Sequence, residues 1–176
     1  CLSLSDFVKP CGTDYVGAFA VTAGRGIEEI ISGYQQTDDF KALLYQSLSD
    51  RLAEAAAELL HARVRREVWG YAPDERIDRQ RALRAQYRGI RPAAGYPSLP
   101  DQSAIFAIEK IVGFANVGIA VTPNGAMSPA SSVSGLMIAH PASHYFMIGA
   151  IAPDQRRDYA ARRGITEEEL SKWLPK

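Results

Sequence analysis

Thr37-Asp-Asp-Phe-Lys-Ala-Leu-Leu-Tyr-Gln-Ser-Leu-Ser-Asp-Arg-Leu-Ala-Glu-Ala-Ala-Ala-Glu-Leu-Leu-His-Ala-Arg-Val-Arg-Arg-Glu-Val68 is the longest periodic stretch of the chain, and the architecture follows from it. Its apolar residues, Phe40, Leu43, Leu44, Leu48, Leu52, Ala56, Leu59, Leu60, Val64 and Val68, recur at steps of three and four with Ser47 as a polar interruption. That period belongs to one long amphipathic helix. Thr37, Asp38 and Asp39 offer N-cap oxygens and negative charge at the positive end of the helix. Arg63, Arg65 and Arg66 sit near the negative end, before Gly70, so both termini are marked.

The flanking segments set the class. Upstream, Tyr15-Val-Gly-Ala-Phe-Ala-Val-Thr22 alternates β-formers with small residues, the pattern of a strand whose neighbours approach closely. Downstream, prolines at 73, 92, 97 and 100 predict a short helix around Arg79 to Tyr87 that gives way to extended loop. A helix is predicted from Ser103 to Val112 with Gly113 just past its end, then a strand over Asn116 to Thr122. Two apolar runs, Val133 to Ala139 and Tyr145 to Ile151, are predicted to form a β-hairpin after the turn-prone residues 123–132. Pro153 opens a helix that stops at Gly164. Thr166 with Glu169 forms a capping box for a last helix before Pro175. The elements do not alternate as in a doubly wound sheet, so the expected class is α+β, a twisted antiparallel sheet packed with a long helix and C-terminal helices.

The 176 residues, 47% hydrophobic and 23% charged, suffice for one core, and a single domain over 1–176 is expected. Twenty Lys and Arg balance twenty Asp and Glu, which leaves no global field to draw the chain onto nucleic acid or an anionic membrane. No apolar run approaches the ~20 residues of a membrane span, and the first residues lack the basic and apolar regions of a secretion signal. Cys1 and Cys11 form no metal-spaced pair, and reduced thiols in a cytoplasmic protein are the expectation. A first residue other than Met suggests a processed product or a piece of something longer.

The segment Gly89-Ile-Arg-Pro-Ala-Ala-Gly-Tyr-Pro97 carries the most chemistry. Pro92 and Pro97 push Arg91 and Tyr96 into extended conformations, and Gly95 permits close approach of a ligand to the backbone. An arginine held on such a loop can grip a carboxylate with two parallel hydrogen bonds. The adjoining backbone, at Ala93 and Gly95, can read a heterocycle edge-on. The same residues equally make a rigid crossover with a solvated arginine, and spacing alone does not choose. Asp50, Glu54 and Glu58 repeat every four residues on the long helix, a mildly destabilising arrangement unless they have work elsewhere or Arg51, Arg63 and nearby bases neutralise a solvated face. His61, His140 and His144 are not spaced as ligands of one metal, so no metal site is expected. Ser128, Ser131, Ser132 and Ser134 lack an adjacent base and fit turn chemistry, so no serine nucleophile and no other catalytic side chain is assigned. The absence of a Gly-rich turn between a strand and a helix argues against a Rossmann-type methyltransferase.

Arg91-Pro-Ala-Ala-Gly-Tyr-Pro97 matches an Arg-x-x-x-Gly-Tyr-Pro signature, and further motifs agree in order: Asp6-Phe-Val, Asp14-Tyr-Val-Gly-Ala-Phe-Ala-Val-Thr22, Asp50-Arg-Leu-Ala-Glu-Ala55, Glu67-Val-Trp-Gly-Tyr-Ala-Pro73, Ser132-Val-Ser-Gly135 and Ser143-His-Tyr-Phe146. In these the chain resembles, nearly end to end, the activation domain of cobalamin-dependent methionine synthase. The resemblance implies binding of S-adenosylmethionine, with Arg91 on the methionyl carboxylate, Tyr96, Tyr145 and Phe146 lining the site, and Glu54 as a further polar contact. Two departures stand out. An upstream Asp-Trp-x-Pro-Phe-Phe segment of the family, whose aspartate also holds the ligand, has no match. Where relatives have Ala-Met-Trp-Pro this chain has Ala126-Met-Ser-Pro129, which puts in doubt any contact of that aromatic to cobalamin.

The resemblance further implies a role in repair. The parent enzyme moves a methyl group from methyltetrahydrofolate through cob(I)alamin to homocysteine, and occasional oxidation leaves inert cob(II)alamin. The domain would present S-adenosylmethionine to cobalamin carried by a neighbouring domain while a flavodoxin-type reductase supplies an electron. The cobalamin-binding domain and that reductase are thus the implied partners. The alternative is a docking module for those same partners with little ligand affinity of its own, a reading favoured by the missing aspartate.

Overall fold

The structure is a computed structural model that describes residues 2–174. Cys1, read above as a thiol, and Pro175, read as the stop after the last helix, lie outside the described residues. After a one-turn 3-10 helix over Leu4–Phe7, the chain forms β1 (Gly17–Thr22), α1 (Ile27–Tyr34) and α2 (Asp39–Arg63), and α2 runs on into a π-helical turn over Val64–Val68. Asp38 caps α2, its side chain accepting from the Lys41 N–H at 3.0 Å. There follow α3 (Arg79–Leu83), α4 (Ala104–Val112), a 3-10 turn (Phe114–Val117), β2 (Ala120–Val121), β3 (Met127–Ser128) and β4 (Ser132–Met137). The chain closes with α5 (Pro153–Arg163) and α6 (Glu167–Leu170).

β1 and β4 pair antiparallel over six residues, from Gly17 opposite Met137 to Thr22 opposite Ser132. The free edge of β4 takes a third, shorter segment. Ile90 and Ile138 exchange two backbone hydrogen bonds of 3.0 Å, and Leu136 N–H donates to Pro92 O at 2.9 Å. One face of this sheet packs Phe19 and Met137 on Ala57 of α2, and the other packs on Ile105 and Ile108 of α4 with Phe114 and Ile119 beneath. α5 and α6 close over Ala160, Leu170 and Leu174. A buried acid fastens them to α4. Asp101 accepts from Ser103 Oγ at 2.6 Å and Tyr159 Oη at 2.7 Å, and is paired with Arg163. The α+β class and the antiparallel sheet agree with the sequence reading.

Four sequence expectations change. Amphipathicity implies that the leucine stripe of α2 faces the interior, yet Leu44, Leu48, Leu52 and Leu59 are each more than half exposed. The buried face is the small one, Ala42, Ser49, Ala53 and Ala57, followed by His61. The large residues Phe19 and Met137 project from the sheet, and the short side chain of Ala57 lets the helix lie against them with Leu60 and Val64 packed beside it. The helix predicted over 79–87 ends at Leu83, because Ala85 turns left-handed (φ 50°) and the Ala85 and Gln86 N–H groups bond back to Ala82 and Arg81. The strand predicted over 116–122 is reduced to Ala120–Val121, since Phe114 is pulled into the core and the chain makes a 3-10 turn to Gly118 (φ 76°) first. The predicted hairpin of 133–139 with 145–151 does not form. Both edges of β4 are taken, by β1 and by residues 90–92, so 145–151 crosses without ladder partners.

Candidate functional site

Pairing with β4 orients Arg91. In an antiparallel ladder alternate residues turn their backbone groups inward, here Ile90 and Pro92, so the Arg91 N–H points away from the sheet. It donates to Tyr145 Oη at 3.0 Å. The loop lies against β4 because Gly135 has no side chain. A Cβ there would fall 3.0 Å from the Pro92 carbonyl carbon and 3.1 Å from Ala93 Cα, and closer still to Pro92 O. Beyond Pro92 the chain closes a turn with Gly95 N–H donating to Leu99 O at 2.9 Å and Leu99 N–H donating to Tyr96 O at 2.8 Å. Gly95 holds φ at 83°, where a side chain would collide with Gln102 Oε1. Ser98 Oγ binds both the N–H (3.0 Å) and the C=O (2.8 Å) of Phe146, which fixes the 145–147 crossover over the loop.

These elements line an open cavity of about 620 Å³, within the usual range for small-molecule sites. Of the residues singled out from the sequence, Arg91, Ala93, Tyr96, Tyr145, Phe146 and Glu54 line it together; Gly95 stands in the loop behind the lining. Two further features were not read from the sequence. Ser134, assigned there to turn chemistry with its neighbours, lies on β4, is 2% exposed, lines the cavity, and its Oγ has no hydrogen-bond partner among the described residues. A single serine in a strand carries no signal of that kind, because the missing partner is visible only once the fold is built. The cavity wall also depends on Gly135, which the sequence reading noted only as part of a motif.

The acidic stripe on α2 divides its work. Asp50 accepts from Gln46 Nε2 at 2.8 Å and from Ser131 Oγ at 2.6 Å. Glu54 lines the cavity. Glu58 Oε2 lies 3.0 Å from Arg91 Nη1, and its Oε1 lies 4.0 Å from Nη1 of the buried Arg65. Arg63, expected to neutralise the stripe, pairs instead with Glu67. Tyr87 completes the cluster. Its hydroxyl accepts from Arg91 Nη1 at 2.9 Å and donates to Glu58 Oε2 at 3.4 Å, and its ring lies under the Arg65 guanidinium at 4.0 Å. Burial pushes the Tyr87 phenol above its ordinary range, so it stays protonated and able to donate.

His61 is fully buried, with Nε2 3.2 Å from Tyr71 Oη. Burial, reinforced by the Arg65 and Arg91 charges, pushes its pKa down to about 3, so it is neutral near pH 7. Among the described residues no three His, Cys, Asp or Glu side chains are grouped so as to hold a metal ion, and no helix is long and apolar enough to cross a membrane. The cavity therefore offers one guanidinium, one carboxylate, an unpartnered hydroxyl and three aromatic rings. That set suits a zwitterionic group attached to a flat heterocycle.

A model of the activation domain of vitamin B12 dependent methionine synthase matches residues 1–164. Among solved structures the chain is similar to the MetH reactivation domain bound to AdoHcy, with 41% sequence identity and a TM-score of 0.87 over 91% of this chain and 50% of that one. It thus spans about half the length of that protein.

Proposed function

The chain belongs to the family of the vitamin B12 dependent methionine synthase activation domain, and on that premise we propose that its cavity binds S-adenosylmethionine and serves reductive reactivation of the cobalamin of that enzyme. The observation that carries the reading is the cavity itself, where Arg91 and Glu54 stand together beside Tyr96, Tyr145 and Phe146. The related structure holds AdoHcy, which shares the nucleoside and the amino-acid end of S-adenosylmethionine and lacks its methyl group.

The residues present fit such a ligand. Arg91 meets the carboxylate with a charge-assisted hydrogen bond, Glu54 meets the α-ammonium, and the aromatic rings shape the apolar body of the pocket. Ser134 Oγ, buried without a partner, gains one from a polar edge of the ligand. When bound, the ligand supplies the sulfonium methyl. The side chains of this chain bind and orient it and exclude water, and none of them has to act as an acid or base. The cobalamin-binding part of the enzyme and a flavodoxin-type reductase are the partners this reading calls for.

Calorimetric titration of S-adenosylmethionine into the intact protein, with Arg91→Ala beside it, tests the reading. Saturable binding that the substitution weakens by roughly 1.5–3 kcal/mol supports it. No binding by a folded protein, or an Arg91→Ala affinity equal to wild type, sinks it. A second reading, in which the chain chiefly docks onto those partners and binds ligand weakly, draws on the exposed leucines of α2. Partner binding that survives Arg91→Ala while Leu48→Glu abolishes it would favour that reading.

A further inference from the structure

We propose that Glu58 is a positioning residue for Arg91, holding one end of the guanidinium so that the other end meets the ligand carboxylate squarely. The inference rests on the reading that Arg91 binds that carboxylate.

An arginine on a surface loop gains little from a bidentate contact unless its fork is already aimed, because ordering a long, freely rotating side chain opposes binding. Arg91 is aimed from one side. Both its Glu58 contact (3.0 Å) and its Tyr87 contact (2.9 Å) use the same nitrogen, Nη1. Of the two guanidinium edges that can meet both oxygens of a carboxylate, the one formed by Nε and Nη2 is used by neither Glu58 nor Tyr87. Glu58 is itself held in place. It lies between two guanidiniums, and Arg65 on its far side is 2% exposed and anchored through Nε to Glu75 Oε2 at 2.6 Å. Tyr87 ties the set together by bonding both Glu58 and Arg91 while its ring supports Arg65. The buried Arg65 and the partly exposed Arg91 thus meet two negative charges in the chain Glu75, Arg65, Glu58, Arg91.

Glu58 could instead be a competitor that a ligand carboxylate must displace. The geometry points the other way. Glu58 and Tyr87 both engage Arg91 at Nη1, so a carboxylate arriving at Nε and Nη2 has no need to displace Glu58, whose Oε1 also lies 4.0 Å from Arg65 Nη1. Glu58 therefore stays and the ligand joins the cluster.

The test compares two ligands on the intact protein. S-adenosylmethionine carries the carboxylate, and 5′-methylthioadenosine has the same nucleoside without the amino-acid end. Glu58→Gln keeps the shape and removes the charge. It is expected to weaken S-adenosylmethionine roughly tenfold, as loss of a partner that orients a ligating group commonly does, and to leave methylthioadenosine within twofold. Glu58→Asp should recover part of the loss. Equal weakening of both ligands would show a merely structural role, and unchanged or tighter S-adenosylmethionine binding would show that Glu58 does not position Arg91 or competes with the ligand; either overturns the proposal. Should Glu58→Gln fail to fold, Tyr87→Phe removes the hydroxyl shared by Glu58 and Arg91 and is expected to weaken S-adenosylmethionine alone. Failure of the wild type to bind S-adenosylmethionine, or of Arg91→Ala to weaken it, would defeat the underlying reading and this inference with it. Normal behaviour of those two proteins beside an unaffected Glu58→Gln would defeat this inference only.

Discussion

Gly135→Ala is the smallest change that should move the site without touching it. The added methyl would stand 3.0 Å from the Pro92 carbonyl carbon and 3.1 Å from Ala93 Cα, both backbone atoms, with Pro92 O nearer still. Backbone cannot swing aside as a long side chain can. Ordinary carbon contacts lie near 3.5–4.0 Å, so the loop must retreat from β4 by roughly 1 Å. That retreat stretches the 2.9 Å hydrogen bond from Leu136 N–H to Pro92 O, next to the residue that carries the guanidinium. Overpacking of this kind costs ~1–3 kcal/mol and the lost hydrogen bond ~1 kcal/mol. A displacement of about 1 Å at a group that orients a ligand can cost far more function than stability. We expect a moderate fall in melting temperature and at least tenfold weaker S-adenosylmethionine binding by calorimetry, about 1.4 kcal/mol. Gly33→Ala is the control. Gly33 lies in α1 with nothing within 4 Å of the added atom, and alanine there should stabilise the helix by ~0.5–1 kcal/mol and leave affinity alone. A Gly135→Ala protein that melts and binds like the wild type would refute the claim that this glycine seats the loop.

Three further outcomes follow from the same structure. His61 is neutral when folded (pKa about 3) against 6.5 for an unfolded histidine, so the unfolded chain binds the extra proton as pH falls. Stability is then complete above pH 6.5 and lost below it by up to ~1.4 kcal/mol per pH unit; urea unfolding of wild type and His61→Gln between pH 7 and 5 should differ in slope by one proton, and parallel slopes would contradict a buried neutral imidazole. Asp101→Ala removes the acceptor shared by Arg163, Tyr159 and Ser103, and loss of ~1–3 kcal/mol is expected because the Ser103 and Tyr159 hydroxyls lose their partner; proteolysis should release α5 and α6 first, and an intact C-terminal region would count against that clasp. Neighbouring positions on α2 should respond oppositely to size. Leu52→Ser at 54% exposure should stay within ~0.5 kcal/mol, whereas Ala53→Leu at 1% exposure should cost ~1–3 kcal/mol, both read by thermal unfolding.

Local signals in the chain were legible where a residue type has one physical use. Gly113 and Gly164 end α4 and α5 in left-handed conformations, and Asp38 and Thr166 cap helices as their side chains allow. The period of α2 located the helix and misassigned its faces. Leucines at steps of three and four mark a helix whichever way it turns, and what turns this one is Phe19 and Met137, far away in sequence, which take Ala57 with Leu60 and Val64 beside it. The same limit explains the hairpin. Val133 to Ala139 and Tyr145 to Ile151 both read as strands, and only a count of the available edges of β4, one of them filled by the non-repetitive loop at Ile90, decides that the second has nowhere to pair.

The candidate site divides along the same line. Arg91, Tyr96, Tyr145, Phe146 and Glu54 could be named from motif and spacing, and they line one cavity because three separate segments converge on β4. Glu58 and Ser134 could not be named so. In the sequence Glu58 is one acid of a regularly spaced row, as well explained by solvent as by a partner. In the fold Asp50, Glu54 and Glu58 face a serine turn, a cavity and two arginines respectively. A helix offers its neighbours one acid per turn, and the neighbours decide what each acid does. The cost of setting like charges four residues apart is thus offset by Ser131, Arg65 and Arg91, which ties the row to its neighbours even though Asp50 and Glu54 are exposed.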